Sequence, residues 1–356
     1  MRRWLPPRPN GSPLRRLSPL GAALAALLLL SGCAALPASQ EEAPLPPRLL
    51  TREGIPLDVD TLEQRMLSAR VIYLAEKHDN PHHHRLQVKI LERLVALGRK
   101  PAVGFEFFSR EQTGWLMNYQ TGGVSPLHGT AAAPGSAERS LRANLGWSHR
   151  EDWPFYFPLI EVGKKHGLPL FGADLPSAVK IRLARAGLEQ LTALERQQIP
   201  DTGLRREDYR LLMREKLSAS HCGHASPAML DRLHQTWLAR NDAMALAVTT
   251  VLKERPEEPV VVILGGGHTE HGMGVVERVA FLNPGISQLD LGLMESPDPT
   301  RDAERLPPPE SGGATVFPAG HDVYWFTPAP GGSDADKDPC AAFAKPATPP
   351  PAAAAP

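Results

Sequence analysis

Residues 70–98 read RVIYLAEKHDNPHHHRLQVKILERLVALG, and this stretch sets the architecture. Val71-Ile72-Tyr73-Leu74 is a short apolar run of the kind that fills a strand buried on both faces. Asn80 is a good helix N-cap and Pro81 a favoured first helical residue. Leu86, Ile90, Leu94 and Leu97 then recur at helical spacing up to Gly98, which ends the helix. The unit is strand, polar turn, helix.

The same unit repeats outward from there. PAVGFEFF (101–108) reads as a strand, Arg110 to about Tyr119 as a helix, and the Gly, Ala and Pro-rich residues 121–137 as a loop. FYFPLIEVGKKHG (155–167) reads as a helix ended by Gly167, and LPLFGADL (168–175) as a strand. VVVILGGG (260–267) is the most apolar strand, followed by a helix over Met273–Phe281 and a strand ISQLDLGL (286–293). VYWFT (323–327) is expected as a last edge strand. Residues 177–256 hold no strand-like run and are expected as a helical insertion, broken at Pro200 and around HCGHASP (221–227). This order predicts an α/β fold, a mostly parallel sheet flanked by helices, with the insertion over or beside the C-terminal strand ends.

In open α/β sheets the ligand lies beyond those C-terminal ends. Here they carry Glu76 and His78, Glu106, Asp174, and Gly265-Gly266-Gly267-His268-Thr269-Glu270-His271. If the strands are neighbours, carboxylates and imidazoles converge on one crevice. Glu76, His78 and His268 would suit a divalent metal such as zinc or manganese. Glu76, His78, Glu106 and His268 would equally suit a metal-free His–Glu pair acting on a water. A strand-end Glu also serves as an ordinary helix N-terminal charge or salt-bridge partner.

His82, His83 and His84 fall in the first helical turn, splayed about 100° apart, and cannot all bind one ion. His83 and His84 are expected as exposed polar residues, whereas Lys77 and His78 precede the cap and face the crevice. His221, Cys222 and His224 could bind a metal, or a haem iron through one of them, but they match no standard zinc spacing, and such a cluster usually reads as a turn. No His-Glu-x-x-His pair, Gly-x-Ser-x-Gly elbow, Walker loop or Gly-x-Gly-x-x-Gly element is present.

The N-terminus carries Arg2, Arg3, Arg8, Arg15 and Arg16, an apolar stretch Leu20–Leu30, then Ser31-Gly32-Cys33. This pattern is a secretory signal over 1–32, its apolar run too short to span a bilayer. Leu30-Ser31-Gly32-Cys33 resembles the bacterial lipobox, which implies a lipid-modified Cys33 as mature N-terminus. Ala34 after it resembles the sorting signal for the outer membrane of a Gram-negative cell. Residues 33–49 read as a tether and 328–356, rich in Pro and Ala, as a disordered tail. Of 39 basic residues the signal removes five, leaving 34 against 39 acidic ones, a net −5 that disfavours nucleic acid as a partner. Cys222 and Cys340 could pair in an oxidising compartment, but sequence does not fix the geometry.

YLAEKHDNPHHHRLQ (73–87), GFEFFSREQ (104–112), GWSHREDWPFYFPLIEVGKKHGLPLFGADLP (146–176), RNDAMA (240–245) and ILGGGHTEHG (263–272), in this order, resemble the ChaN family of haem-binding lipoproteins. The resemblance covers roughly residues 50–327, one α/β domain. It implies a membrane-tethered haem binder for iron acquisition, working as a homodimer with haem near the subunit interface. It further implies a Tyr ligand to the iron, with His and Lys near the propionates. Tyr209, on the insertion, is the first choice of ligand; Lys77, His78 and His268 are the propionate candidates, and Tyr73 is expected in the core. One departure is Ala75, where the related motif carries Gly. More distantly, the AEKH and GGGH elements resemble the wider Tiki, TraB and erythromycin-esterase group, which implies a Glu/His-dependent hydrolase as the alternative.

Overall fold

The computed structural model describes residues 48–123, 135–296, 306–318, 320–330 and 340. The expected secretory signal, the expected lipidation site Cys33 and most of the expected tether and tail lie outside them.

The described chain opens with two short strands, β1 (Arg48–Thr51) and β2 (Pro56–Leu57), and helix α1 (Val59–Ser68). Arg48 and Leu49, read as the end of a tether, thus belong to the sheet. Then come β3 (Val71–Glu76), α2 (Pro81–Ala96), β4 (Ala102–Ser109), α3 (Thr113–Gln120), α4 (Ser136–Asn144), α5 (Trp153–His166) and β5 (Leu170–Asp174). The stretch without strand-like runs forms α6 (Ser177–Ala186), α7 (Ala193–Gln197), α8 (Glu207–Ser220) and α9 (Pro227–Glu254). The chain returns to the sheet through β6 (Val260–Gly265), α10 (Val275–Leu282) and β7 (Gln288–Ser296). It ends with a β8 (Glu310–Gly312) and β9 (Thr315–Phe317) hairpin and with β10 (Val323–Pro328).

Eight strands form one sheet in the order β2-β1-β10-β7-β3-β6-β4-β5. From β10 to β5 every pairing is parallel. Only β1 runs antiparallel, to β10 and to β2. The fold is therefore α/β with a mostly parallel sheet. VYWFT is not an edge strand, because β1 covers its outer side. Four residues, RLLT, give too short an alternation to announce such a strand.

Alternation along each buried strand sorts its side chains between two cores. Ile72, Leu74, Val261 and Ile263 meet Leu86, Ile90 and Leu94 of α2 and Leu159 and Ile160 of α5. Val71, Tyr73, Val260, Val262 and Leu264 meet Met244, Val248 and Leu252 of α9 and Val275 and Val279 of α10. Tyr73 is fully buried, its hydroxyl donating to Gln288. A Leu or Val side chain so buried is worth about 1.5–3 kcal/mol, so these runs fix which way each strand end faces.

Cys222, at the turn between α8 and α9, is joined by a disulfide to Cys340. Among the described residues no helix is long and apolar enough to cross a membrane.

Candidate functional site

The topology settles which strand ends are neighbours. β6 is inserted between β3 and β4, pairing Glu76 with Gly265 and Phe105 with Ile263. The ends bearing Glu76, Gly265–His268 and Glu106 therefore lie side by side. Register breaks in β4 between Phe105 and Ser109, where Glu106 sits.

Glu76 is fully buried as a side chain and saturated with donors. Its Oε1 accepts from the Tyr156 hydroxyl at 2.6 Å and lies 3.1 Å from Nδ1 of His78; its Oε2 accepts from Gln87 at 2.6 Å. The Tyr156 hydroxyl is pushed far up, by burial first and then by the Glu76 charge. With its Nδ1–H held by Glu76, His78 presents Nε2 over Gly265. A Cβ on Gly265 would come within 2.6 Å of the His78 ring, so only glycine admits the imidazole there. Burial pushes His78 down, but Glu76 and Glu106 outweigh it and raise it above the usual histidine value.

Glu106 stands on the other side of the same glycine. Its Oε2 accepts from the Gly265 N–H at 2.6 Å, and its Oε1 pairs with Arg240 at 2.6 Å and lies 3.3 Å from Nε2 of His268. Burial alone would raise this carboxyl; His268 and Arg240 overcome that and hold it well below the usual range. His268 has its Nδ1 2.7 Å from Oδ1 of Asn241, whose amide nitrogen donates to the Trp237 carbonyl. That second bond fixes the amide, so the His268 Nδ1 donates to Asn241 and Nε2 turns to Glu106. Arg240 also bonds Asp174 at 2.8 Å, and Lys180 closes on Asp174 at 2.7 Å. Glu106, Phe107, Trp147, Arg150, Lys180 and Arg240 line a cavity of about 700 Å³ at this end of the sheet.

The structure thus brings Glu76, His78, Glu106 and His268 together, with Glu76 behind His78 as its anchor. Among the described residues the group of ligand atoms close enough to hold an ion is Glu270, His271 and Glu310, not Glu76, His78 and His268. Lys77 turns outward to Glu295 at 2.9 Å. Tyr209 is buried on α8, its hydroxyl 3.4 Å from the Glu270 carbonyl. Its ring packs on Trp237, which stacks in turn on His268. Tyr209, His234, Trp237, Arg205, Arg206 and Arg210 line a separate cavity of about 350 Å³, and Lys77, His78 and His268 are absent from that lining. Burial, then Arg210, Arg214 and Arg278, lower His234 to about 4.

Two histidines expected at the surface are buried. His83 is 0% and His84 3% exposed. The His83 Nδ1 accepts from the Lys77 N–H at 3.0 Å, and the His84 Nε2 lies 2.9 Å from the His78 carbonyl, so both rings cap the turn that carries His78. His82 is half-buried beside Arg85. Sequence reasoning passed over Arg240, Asn241, Tyr156 and Gln87. RNDAMA was visible as a block, and Gln87 stands one helical turn after His83, on the buried face.

A protein-family model described as haem-binding uptake, Tiki superfamily, ChaN matches residues 62–279. The chain belongs to that ChaN family. A solved structure described as cofacial heme binding to ChaN of Campylobacter jejuni is 16% identical, with a TM-score of 0.56, covering 78% of this chain and 96% of that one. An erythromycin esterase mutant, EreC in its open conformation, is 12% identical with a TM-score of 0.44, covering 76% and 93%. The likeness to the Campylobacter jejuni structure concerns the fold. No curated protein matches the chain.

Proposed function

We propose that this chain is a lipid-anchored haem-binding protein serving haem and iron uptake, held to the outer membrane through Cys33. The reading is supported by ChaN membership and by the donor set around Tyr209, which is the observation that carries it. A phenol is a known type of axial haem ligand. Tyr209 and Trp237 line one cavity with Arg205, Arg206 and Arg210, whose guanidinium groups are at hand for carboxylates. Tyr209 would hold the iron and the arginines the propionates, and bound haem would supply a redox-active, Lewis-acidic iron; burial and then Glu270 push the Tyr209 hydroxyl well up, so iron binding would have to displace its proton. At about 350 Å³ the cavity is near the lower end of small-molecule sites. A porphyrin would extend beyond it, which suits a homodimer closing over the exposed part. Lys77, His78 and His268 would then contact propionates only from outside the cavity, and the arginines take that role first.

The test is a haemin titration of the chain from Ala34 onward. A saturable Soret shift is expected, with Tyr209→Phe losing the tyrosinate-to-iron absorption and weakening binding by about 10-fold or more. An unchanged titration in Tyr209→Phe removes the proposed site.

A second reading, a Glu/His-dependent hydrolase, is favoured by one observation. His78 and His268 each have Nδ1 anchored by an acceptor; the His268 Nε2 lies 3.3 Å from Glu106, and the His78 Nε2 and Glu106 both border Gly265. Anchoring one imidazole nitrogen to orient the other is how a general base or a metal ligand is held. Ester or peptide cleavage abolished by His78→Asn, with the haemin titration intact, would establish it. Stoichiometric zinc or manganese in unsupplemented protein, lost in His78→Ala with His268→Ala, would establish the metal-dependent form.

A further inference from the structure

A second polar cluster lies outside the strand-end crevice. It joins the turn after β6, the middle of α8 and the first residue of β8. Lys216 Nζ sits 2.5 Å from Oε2 of Glu270 and 2.7 Å from Oε2 of Glu310. His271 Nε2 is 2.8 Å from that same Glu310 oxygen. The ligand atoms of Glu270, His271 and Glu310 all lie within 4.8 Å of one another.

The His271 ring supplies a separate observation. Its side chain is 4% exposed. Its Nδ1 lies 2.9 Å from the carbonyl of Pro318. A carbonyl only accepts, so Nδ1 carries a proton, and on a neutral ring Nε2 then has a lone pair. That lone pair points at a carboxylate oxygen at hydrogen-bond distance. Such a contact is favourable only with positive charge between the two, a second ring proton or a cation. The backbone carbonyl holding Nδ1 is also the orienting contact that metal-ligating histidines use.

We propose that Glu270, His271 and Glu310 form a binding site for a first-row divalent cation of the zinc type, with Lys216 as its built-in competitor. One imidazole and two carboxylates give three nitrogen and oxygen ligands, leaving one position for water. The Lys216 ammonium holds the carboxylates together without metal, and a bound cation displaces it toward solvent. Because the ligands come from two segments, binding ties the β8–β9 hairpin to the turn after β6. None of the three ligands lines the Tyr209 cavity, although the Tyr209 ring packs beside His271 and its hydroxyl reaches the Glu270 carbonyl.

The test uses the full chain in detergent, stripped with chelator and titrated with Co²⁺ followed by visible absorption, then with Zn²⁺ in competition. Saturable one-to-one binding is expected, lost in His271→Ala and tightened by about tenfold or more in Lys216→Met. His82→Ala controls for the histidine-rich turn and should change nothing. Lys216→Gln replaces the methionine variant if that one fails to fold. Binding that survives His271→Ala, or none in wild type and in the folded Lys216 variant, overturns the site and leaves a closed salt-bridge network.

Discussion

His83 shows how much a single buried ring couples this protein to pH. Burial, then the neighbouring His84 and His82, lowers it from the ordinary 6.5 to about 3. In the unfolded chain it takes up a proton near its ordinary value, well before the folded state does. Its contribution to stability is therefore fully present above about pH 6.5 and is lost as pH falls toward 3. His234, lowered to about 4, acts with the same sign. His83→Asn keeps an acceptor near the Lys77 N–H but does not titrate. It should cost about 1–2 kcal/mol at neutral pH from lost packing, yet flatten the decline of stability from pH 7 to pH 4. Urea midpoints at the two pH values check this; an unchanged slope assigns the acid sensitivity elsewhere. At this scale the sequence revealed residue types but not burial. Three consecutive histidines look solvated in any one-dimensional reading. Which of them lie beneath the strand end depends on the helix phase. Arg240 was hidden for a related reason: its partners Glu106 and Asp174 come from two strands more than 60 residues upstream.

Helix α2 begins where Asn80 and Pro81 say it should. Oδ1 of Asn80 accepts from the His82 N–H at 2.8 Å, the bond expected of an N-cap. What the local pattern did not convey is the work of the other half of the amide. Nδ2 donates to Glu295 and to the Pro328 carbonyl, each at 3.0 Å, tying the helix start to the ends of β7 and β10. Asn and Asp are near-equal as caps, so a cap alone would tolerate Asn80→Asp. Here the new carboxylate would face Glu295 and a carbonyl, both acceptors. Asn80→Asp is expected to destabilise by about 2–3 kcal/mol, more than the roughly 1 kcal/mol typical of a lost cap. Denaturant unfolding of Asn80→Asp against Asn80→Ala decides it. Equal stability of Asn80→Asp and wild type would mean the two outer bonds contribute nothing. Element positions were legible because apolar runs and Gly or Pro punctuation mark them. The short β1, β2 and β8–β9 pairs were not, because three or four residues carry too little pattern.

For the molecule as a whole, the strand-and-helix alternation was enough to give the fold class and a helical insertion. It could not give strand order, which depends on pairings between segments far apart in sequence. Nor could it decide the disulfide, because two cysteines 118 residues apart pair only if the fold brings them together. That bond closes a long loop, and the chain-entropy model assigns such closure about 4–5 kcal/mol as an upper figure. Cys222→Ser with Cys340→Ser should therefore unfold at a lower urea concentration than wild type. Reductant should bring wild type down to the same midpoint. Coincident midpoints without reductant would show that the link constrains little.

The place of β6 has a consequence for how such a chain comes into being. Its two flanking strands, β3 and β4, are made early, and the strand that separates them follows only after 150 further residues. Until then each presents a bare edge on its future inner side, a site for wrong pairing. A nascent chain that stops short of residue 260 cannot close the sheet, and assembly must await a contact of high sequence separation, a slow kind of step. Glu76 and Glu106 acquire their shared glycine in that same late event. The crevice is thus completed only once β6 is seated, with β7 and β10 still to be added on the far side of β3.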